Sequence, residues 1–269
     1  MKKLLAILSL ASAVTLSALA ANPDTRVFEM RTYYAAPGKL DALHARFRDH
    51  TCKLFEKHGM TNIGYWTPIA SEPNAPDNPE QKLVYVLAYP TREAREVSWK
   101  EFQGDPDWQA AKTVSEANGK LVAKVEQLFF AAADFSPEIK PSISTDGRVF
   151  ELRTYTTRPG LLDHLHARFR DHTVALFQRH GMTNLFYWKL LAQQPDNAAL
   201  LGAPENTLIY LLAHQSTAAA KASFDAFRAD PEWVAAKKAS EEKAGGSLTV
   251  EKDGVKSAFL KATDYSPTK

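Results

Sequence analysis

One long stretch occurs twice in this 269-residue chain. Residues 26–66 read RVFEMRTYYAAPGKLDALHARFRDHTCKLFEKHGMTNIGYW, and residues 148–188 read RVFELRTYTTRPGLLDHLHARFRDHTVALFQRHGMTNLFYW. The copies are offset by 122 positions without a gap, and 29 of the 41 aligned positions are identical. A repeat of this length indicates duplication of a whole domain rather than a short solenoid period. It predicts two similar domains, over 21–135 and 148–269, joined by a Pro- and Ser-rich linker over 136–147.

The N-terminal residues have the pattern of a secretory signal peptide. A lysine pair precedes a mostly apolar run, Leu4–Leu16, and the small-x-small sequence Ala18-Leu19-Ala20 follows. The apolar run is too short to cross a membrane comfortably. We therefore expect export to the periplasm or the exterior, with residues 1–20 removed by cleavage after Ala20.

Charge and cysteine content restrict the class of partner. The chain has 33 basic and 31 acidic residues, and loss of the two N-terminal lysines would leave 33 − 2 = 31 basic ones. Because no block of like charge stands out, nucleic acid and anionic membrane are not expected partners. No integral membrane segment is expected after processing. A small-molecule ligand and a homo-oligomer stay open. The single Cys52 cannot form an internal disulfide.

Each copy has the residue pattern strand, helix, strand, strand, helix, strand. In the first copy, Val27–Tyr34 alternates, and apolar residues then recur at helical spacing from Leu40 until His58-Gly59. A second helical region follows Thr91 and restarts at Asp105-Pro106-Asp107-Trp108, where Asp can cap the helix. The remaining strands are predicted at Asn62–Ile69, Leu83–Tyr89 and Val125–Ala131, with a loop over 71–81. This order predicts an α+β fold of two tandem ferredoxin-like βαββαβ domains.

Several motifs recur in the same order in both copies: V-F-E-[ML]-R-T-Y, P-G, R-F-R-D-H-T, H-G-M-T-N-[IL] and D-P-x-W. Together they resemble the NIPSNAP family. The resemblance implies a dimeric α/β-barrel fold, which the two repeats would form as a pseudo-dimer within one chain. The third strands, Val84–Tyr89 and Leu208–His214, lack the Trp that the family pattern has there, so no role of that Trp carries over.

The resemblance implies no agreed chemistry. The better-studied members of the family are mitochondrial proteins linked to vesicle traffic and mitophagy. Related barrel families include cofactor-free monooxygenases and small-molecule isomerases, but that relation is an analogy of fold.

Histidine is duplicated at three positions of the first helix. At 100° per residue, all three flank the buried face centred near Phe47. They could form a polar pocket with the sheet, as proton shuttle or ligand contacts. Alternatively, they are half-buried and bonded to backbone, Asp or Thr. Their spacing along the helix is too wide for them to chelate a metal together without ligands from elsewhere, so no metal site is expected. No cofactor is expected either. The pairs are His44/His166, His50/His172 and His58/His180.

The triplet Glu29-x-Arg31-x-Tyr33 is also duplicated, as Glu151-x-Arg153-x-Tyr155. Period two places the three side chains on one sheet face. If the apolar residues between them face the helices, this polar face lies inside the barrel. It is then either a structural Glu–Arg network or an arginine site for a carboxylate or another anion.

Aromatic residues on the second strand of each copy have two interpretations. They either line the same pocket or belong to the core. The residues concerned are Tyr65, Trp66, Tyr187 and Trp188, whereas Trp108 and Trp233, after the D-P turn, are predicted to be packing anchors.

The candidate ligand site draws on the first strand, the first helix and the second strand of each copy. We favour an exported small-molecule-binding or interaction protein. The alternative is a cofactor-free enzyme of monooxygenase or isomerase type, and haem or metal handling ranks third. No catalytic residue is identified. The candidate ligand-binding residues are Arg31, Tyr33, His44, His50 and Trp66, with Arg153, Tyr155, His166, His172 and Trp188 in the second copy.

Export gives a direct prediction. Protein recovered from its native host should begin at Ala21, because the A-x-A sequence places the cleavage site after Ala20. N-terminal sequencing of the recovered protein checks this, and a cytoplasmic protein that retains Met1 would contradict it.

Overall fold

The computed structural model describes residues 24–69, 81–200 and 202–269. The predicted signal peptide, and all of the predicted 71–81 loop except Gln81, lie outside the described residues. Eight strands form a closed barrel in the order β1-β3-β2-β8-β5-β7-β6-β4, with antiparallel pairing throughout. They are β1 Val27–Ala35, β2 Thr61–Pro68, β3 Lys82–Tyr89, β4 Val122–Ala132, β5 Val149–Thr156, β6 Thr183–Leu190, β7 Thr207–His214 and β8 Val255–Ala262.

Helices cover the outside of the barrel, and β1–β4 and β5–β8 with their helices form a first and a second half. Within the described ranges, no helix is both long and apolar enough to cross a membrane. The α-helices are α1 Leu40–Arg46, α2 Cys52–Lys57, α3 Arg92–Gly104, α4 Pro106–Ser115, α5 Leu162–Arg168, α6 Val174–Arg179, α7 Thr217–Ala229 and α8 Pro231–Lys243, and Pro204–Asn206 is a short 3₁₀ turn. The expected mixed α and β fold of two tandem units is confirmed.

The predicted first helix is interrupted by a π-helical turn. The turn spans Phe47–Thr51 between α1 and α2, and Phe169–Thr173 between α5 and α6. The Thr51 hydroxyl donates to the Arg46 carbonyl at 3.1 Å, as part of this wider turn. A π turn inserts an extra residue and rotates everything after it relative to a regular helix. The positions around the helix axis that were calculated at 100° per residue are therefore not valid for residues after Phe47.

The barrel interior is apolar and is filled from both halves. Phe28 and Met30 of β1 point into it, whereas Glu29 points outward, where its carboxylate contacts Arg95 of α3. The expectation that the Glu-x-Arg-x-Tyr face, and its second copy at Glu151, lies inside the barrel is wrong. Inside the barrel only other strands could pair such charges, whereas the helix layer supplies donors.

Two tryptophans occupy the interior where the halves meet. The Trp66 ring lies 5.8 Å from that of Phe150, and the Trp188 ring lies 6.2 Å from that of Phe28. The strand seams are short by comparison, with three residue pairs between β2 and β8 and three between β4 and β6. The shared apolar core is therefore the main connection between the halves.

The tail of each half packs on the helix layer of the other. Tyr265, after β8, packs against Phe47 of the first half, and the Ser266 hydroxyl accepts from the Tyr65 amide at 2.9 Å. In the same way Phe135, after β4, packs against Phe169, and Ser136 caps the Tyr187 amide at 3.1 Å. Each outer core is thus completed by a segment from the other half.

Packing of Trp66 depends on a glycine. A Cβ at Gly64 would lie 2.3 Å from the Trp66 ring, which is enclosed on all sides. We expect Gly64→Ala to lower the free energy of unfolding by about 1–3 kcal/mol through overpacking. Gly104→Ala is the control, because nothing lies within 4 Å of its Cβ position. Urea denaturation measures both, and unchanged stability of the Gly64 variant would contradict the close packing.

Candidate functional site

A buried carboxylate anchors the first-half helix layer to the sheet. Glu29 is fully buried, and its carboxylate accepts from Arg31 Nη1 at 2.6 Å and from Arg95 Nη2 and Nε at 2.8 and 3.1 Å. The Tyr89 hydroxyl and Trp99 Nε1 donate to it at 2.8 and 3.1 Å. Burial alone would raise the Glu29 pKa, but the two arginines outweigh it and hold the pKa below 4.5. The carboxylate is therefore ionised and saturated with donors.

The equivalent carboxylate of the second half has fewer partners. Glu151 accepts from Arg153 Nη1 at 2.5 Å and contacts His214 Nε2 at 3.1 Å. Arg153 also donates from Nε to the Tyr210 hydroxyl at 2.9 Å and from Nη2 to the Tyr155 hydroxyl at 3.4 Å. Burial would lower the Arg153 pKa, but these neighbours raise it. Arg153 is thus a fixed cation with most of its donors engaged.

The difference arises from one helix. α7 carries Ala220 and Phe224 at the positions where α3 carries Arg95 and Trp99. The substitutions remove a guanidinium and an indole from the contact between helix and sheet. Space beside the polar strand face is therefore less filled in the second half.

The second-half cavity has a volume of about 910 Å³ and lies between β5, α5, α7, α8 and the segment after α8. Aromatic rings form much of its wall, and charged side chains surround its mouth. The insertion that separates the copies late in the chain falls largely in the segment 244–254, which contributes to the lining. The lining residues are Arg153, Tyr155, Arg168, Phe224, Phe227, Arg228, Trp233, Val234, Lys237, Lys238, Glu241, Glu242, Gly245, Gly246, Ser247, Thr249 and Val255.

The first-half cavity, at the equivalent place, is smaller, at about 340 Å³. Trp99, the larger counterpart of Phe224, is part of its wall. The duplicated frame is therefore the same, but the space inside it is not. Its lining residues are Arg31, Tyr33, Arg46, Phe47, Thr51, Phe55, Trp99, Phe102, Gln103, Trp108, Gln109 and Lys112.

Only part of the predicted first-copy site comes together. Arg31 and Tyr33 line the first-half cavity. His44 lies elsewhere, with Nδ1 2.8 Å from the Tyr265 hydroxyl, and burial lowers its pKa. Trp66 is in the barrel interior, and His50 lies in the π turn with its side chain exposed.

The second copy repeats this division. Arg153 and Tyr155 line the second-half cavity. His166 is buried against Phe135, and burial lowers its pKa. His172 lies in the π turn and Trp188 in the barrel interior, so neither lines the cavity.

The third histidine pair has a structural role. His58 Nε2 lies 2.6 Å from the carboxylate of Asp105, and His180 Nε2 lies 2.8 Å from that of Asp230. Each aspartate also accepts from the second residue of the helix that follows it, so the histidine is tied to a helix cap. This is the arrangement that the structural alternative expected.

The sequence interpretation missed one buried arginine in each cavity, the one contributed by the first helix. Arg46 and Arg168 come immediately before the π turn of their half and line its cavity. Their guanidinium carbons lie 5.1 Å from the ring centroids of Trp108 and Trp233, respectively. The tryptophans do pack as anchors, on Phe102 and Phe227, but they also form cavity wall. The duplicated R-F-R sequence could have identified these arginines. The first arginine of the motif comes three positions after a buried leucine, so it shares a helix face with that leucine.

The described part of the chain contains no group of three or more His, Cys, Asp or Glu side chains arranged to hold a metal ion. In the second-half cavity the polar groups are cations, hydroxyls and two carboxylates of α8, set among aromatic rings. Such a surface can hold a small organic molecule by stacking and by charge.

The Glu29 cluster gives a pH prediction. Because the folded pKa of Glu29 lies below 4.5, its contribution to stability is complete above that value and is lost as pH falls through the folded pKa. Glu29→Gln should cost about 3–5 kcal/mol at pH 7, since it leaves arginine charge unpaired, and the cost should shrink in acid. Urea denaturation at several pH values measures it. Glu96→Gln, at an exposed partner of Arg95, is the control. A cost that stays constant down to about pH 3 would contradict an ionised Glu29.

Two solved structures with TM-scores above 0.5 show the fold. An anthrone oxidase-like protein is 14% identical, with a TM-score of 0.53 over 89% of this chain and 92% of that chain. A provisionally assigned monooxygenase from Fusobacterium nucleatum is 10% identical, with a TM-score of 0.52 over 88% and 92%. A NIPSNAP domain protein from Burkholderia xenovorans is 22% identical, with a TM-score of 0.35 over 42% of this chain and 99% of that chain. A comparison with curated proteins finds no match.

The family comparison is decisive for the relationship. The NIPSNAP family model matches twice, at residues 28–137 and at residues 150–267. The two matches cover most of both halves and include both copies of the polar strand face. The chain therefore belongs to the NIPSNAP family.

Proposed function

We propose that this protein binds a small organic molecule in the second-half cavity. The observation that carries the proposal is a cavity of about 910 Å³ whose wall combines aromatic rings with two largely buried arginines, Arg153 and Arg168. Ligand sites commonly have volumes of about 300–1,000 Å³, with apolar walls and few polar groups. The second-half cavity matches that description in size, and its aromatic side chains supply the apolar wall.

Aromatic side chains give the proposed site its apolar surface. Phe224, Phe227 and Trp233 line one side, and the Phe227 and Trp233 rings lie 4.4 Å apart. Tyr155 belongs to the strand side of the wall. A flat ligand inserted among them would bury apolar surface at about 25 cal/mol per Å². This term supports an aromatic or alicyclic ligand rather than a strongly hydrated one.

The cavity chemistry supports binding rather than turnover. Among the described lining residues no side chain is a histidine or cysteine, and both carboxylates, Glu241 and Glu242, come from the last turn of α8. The anthrone oxidase-like protein and the provisionally assigned monooxygenase share the fold at 14% and 10% identity, and a fold at that distance does not transfer chemistry. A cofactor-free enzyme remains the second hypothesis, with turnover of a bound ligand as its signature.

The proposal also covers the domain organisation around the site and the location of the protein. Each half is proposed to be a ferredoxin-like domain, which the strand order β4-β1-β3-β2 and its second-half equivalent support. The proposed domains are 21–135 and 148–269, joined by the linker 136–147, and the two family matches at 28–137 and 150–267 support a division into two units. Binding is proposed to occur in the exported protein.

Filling the cavity should abolish binding. Phe224→Trp introduces the residue that the first half carries at Trp99, so the fold has a precedent for it. With a panel of bicyclic aromatic compounds, neutral and charged, we expect calorimetric affinity to fall at least about tenfold in this variant, a loss of about 1.4 kcal/mol. Its melting temperature should stay close to that of the parent.

The matched control is Trp99→Phe, which enlarges the first-half cavity and should leave the affinity of the panel unchanged. Native mass spectrometry of protein from its host would detect a retained ligand. If no compound binds and no ligand is retained, or if Phe224→Trp binds as the parent does, the second-half cavity is not the binding site.

A further inference from the structure

We propose that the molecule bound in the second-half cavity is an organic monoanion, an aromatic carboxylate, with Arg168 as its counter-ion. The inference rests on the proposed function and specifies its ligand class. Arg168 lines the cavity, and its side chain is only 5% exposed. Of the two largely buried arginines in this wall, Arg153 and Arg168, it has fewer protein partners.

The equivalent residues of the two halves show this most directly. In the first half, Arg46 Nη1 contacts Glu116 Oε1 at 2.9 Å, a close ion pair. In the second half, the corresponding distance from Arg168 Nη1 to Glu241 Oε1 is 3.8 Å. Within the described residues Arg168 donates one hydrogen bond, to the Ser240 hydroxyl at 3.4 Å, and its buried Nε has no partner. A guanidinium has five N–H donors, so most of this capacity is free.

Burial makes the shortage of partners significant. An ionised group removed from water is costly unless it is paired and hydrogen-bonded. Burial lowers the pKa of Arg168, and Glu241 only partly opposes the effect. An anion in the cavity would supply the charge and the acceptors that Arg168 lacks. Because an arginine stays protonated at any ordinary pH, the site is positive when the ligand arrives.

Neighbouring charges limit the ligand to a single negative charge. The guanidinium of Arg153 is already bonded to Glu151, Tyr155 and Tyr210. The three other cations of the lining, Arg228, Lys237 and Lys238, are exposed, so water screens their charge. Among the described lining residues, the one largely buried cation without a close anion is Arg168. A phosphate dianion would need a second buried cation, whereas one carboxylate matches one guanidinium in charge and in planar geometry.

The wall around Arg168 indicates what carries the carboxylate. Its guanidinium carbon lies 5.1 Å from the Trp233 ring centroid, and the Phe227 ring lies 4.4 Å from that of Trp233. The guanidinium of Arg168 thus lies against an aromatic surface. A ligand with a carboxylate on a flat ring system would pair with Arg168 and place its ring on these side chains.

The first test uses the intact protein and two probes that differ only in charge. 2-Naphthoate is an anion at about pH 7.5, whereas 2-naphthamide is neutral and nearly the same shape. Titration calorimetry should give naphthoate an affinity about 10- to 100-fold higher, the range expected of a charge-assisted hydrogen bond. Equal affinities would overturn the monoanion inference and leave the small-molecule function standing. Binding of neither probe would also overturn it.

The second test locates the counter-ion. Arg168→Met should reduce naphthoate affinity about 10- to 100-fold and change naphthamide affinity by less than about twofold. Arg170→Met is the matched control, because it removes one positive charge at an exposed position that pairs with Asp134 outside the cavity. Arg168→Lys keeps the charge and should retain part of the preference, even if Arg168→Met folds poorly. Loss of the preference in Arg170→Met, or its full retention in Arg168→Met, would overturn the role of Arg168.

Discussion

The closed barrel can be filled only if both halves supply its interior at once. Closure leaves no unpaired sheet edge among the eight strands, and the space inside is taken up by side chains, as in other small barrels. Trp66 and Trp188 meet phenylalanines of the opposite half there. One half alone would expose this surface to water, together with the outer core that the other half's tail covers. Both copies of the duplicated domain are therefore needed in this chain to close the barrel and to fill its interior.

This constraint determines where the polar strand residues lie. An apolar interior cannot pair charges, so Glu29 and Arg31 must face the helices, and the helices must supply their remaining partners. The first half does so through Arg95 and Trp99 of α3. The second half uses His214 of β7 instead and leaves space beneath α7. The two solutions hold the same carboxylate at the same register but fill the surrounding volume differently.

Much of the fold could be predicted from the sequence, because its signals are local. Alternation identified β1, and the Asp105-Pro106 cap identified the start of α4, where the Asp105 carboxylate accepts from the Asp107 amide at 2.8 Å. The orientation of β1 could not be predicted in this way. Period two defines which residues share a face, but both faces of this strand are covered, and only the opposing helix layer decides between them.

The candidate site was harder to predict for a related reason. Its histidines were assigned by assuming a regular helix, and the π turn at Phe47–Thr51 invalidates that assumption after Phe47. A π turn depends on how the helix packs, and the sequence R-F-R-D-H-T does not reveal it. Alternation correctly put Arg31 and Tyr33 on one face of a strand, but the cavity they line is on the helix side of the sheet and not inside the barrel, where they were expected.

The cavities also show why similarity between the copies was an incomplete indicator of the site. The 41-residue repeat, residues 26–66 and 148–188, contributes to the frame of both cavities, including the arginine before each π turn. The volume is set by what diverged: Phe224 in place of Trp99, and the segment after α8. The equivalent Arg–Glu pair differs as well, with 2.9 Å between Arg46 and Glu116 but 3.8 Å between Arg168 and Glu241. Retained residues thus indicate where a site can form, and the residues that differ determine which half has room for a ligand.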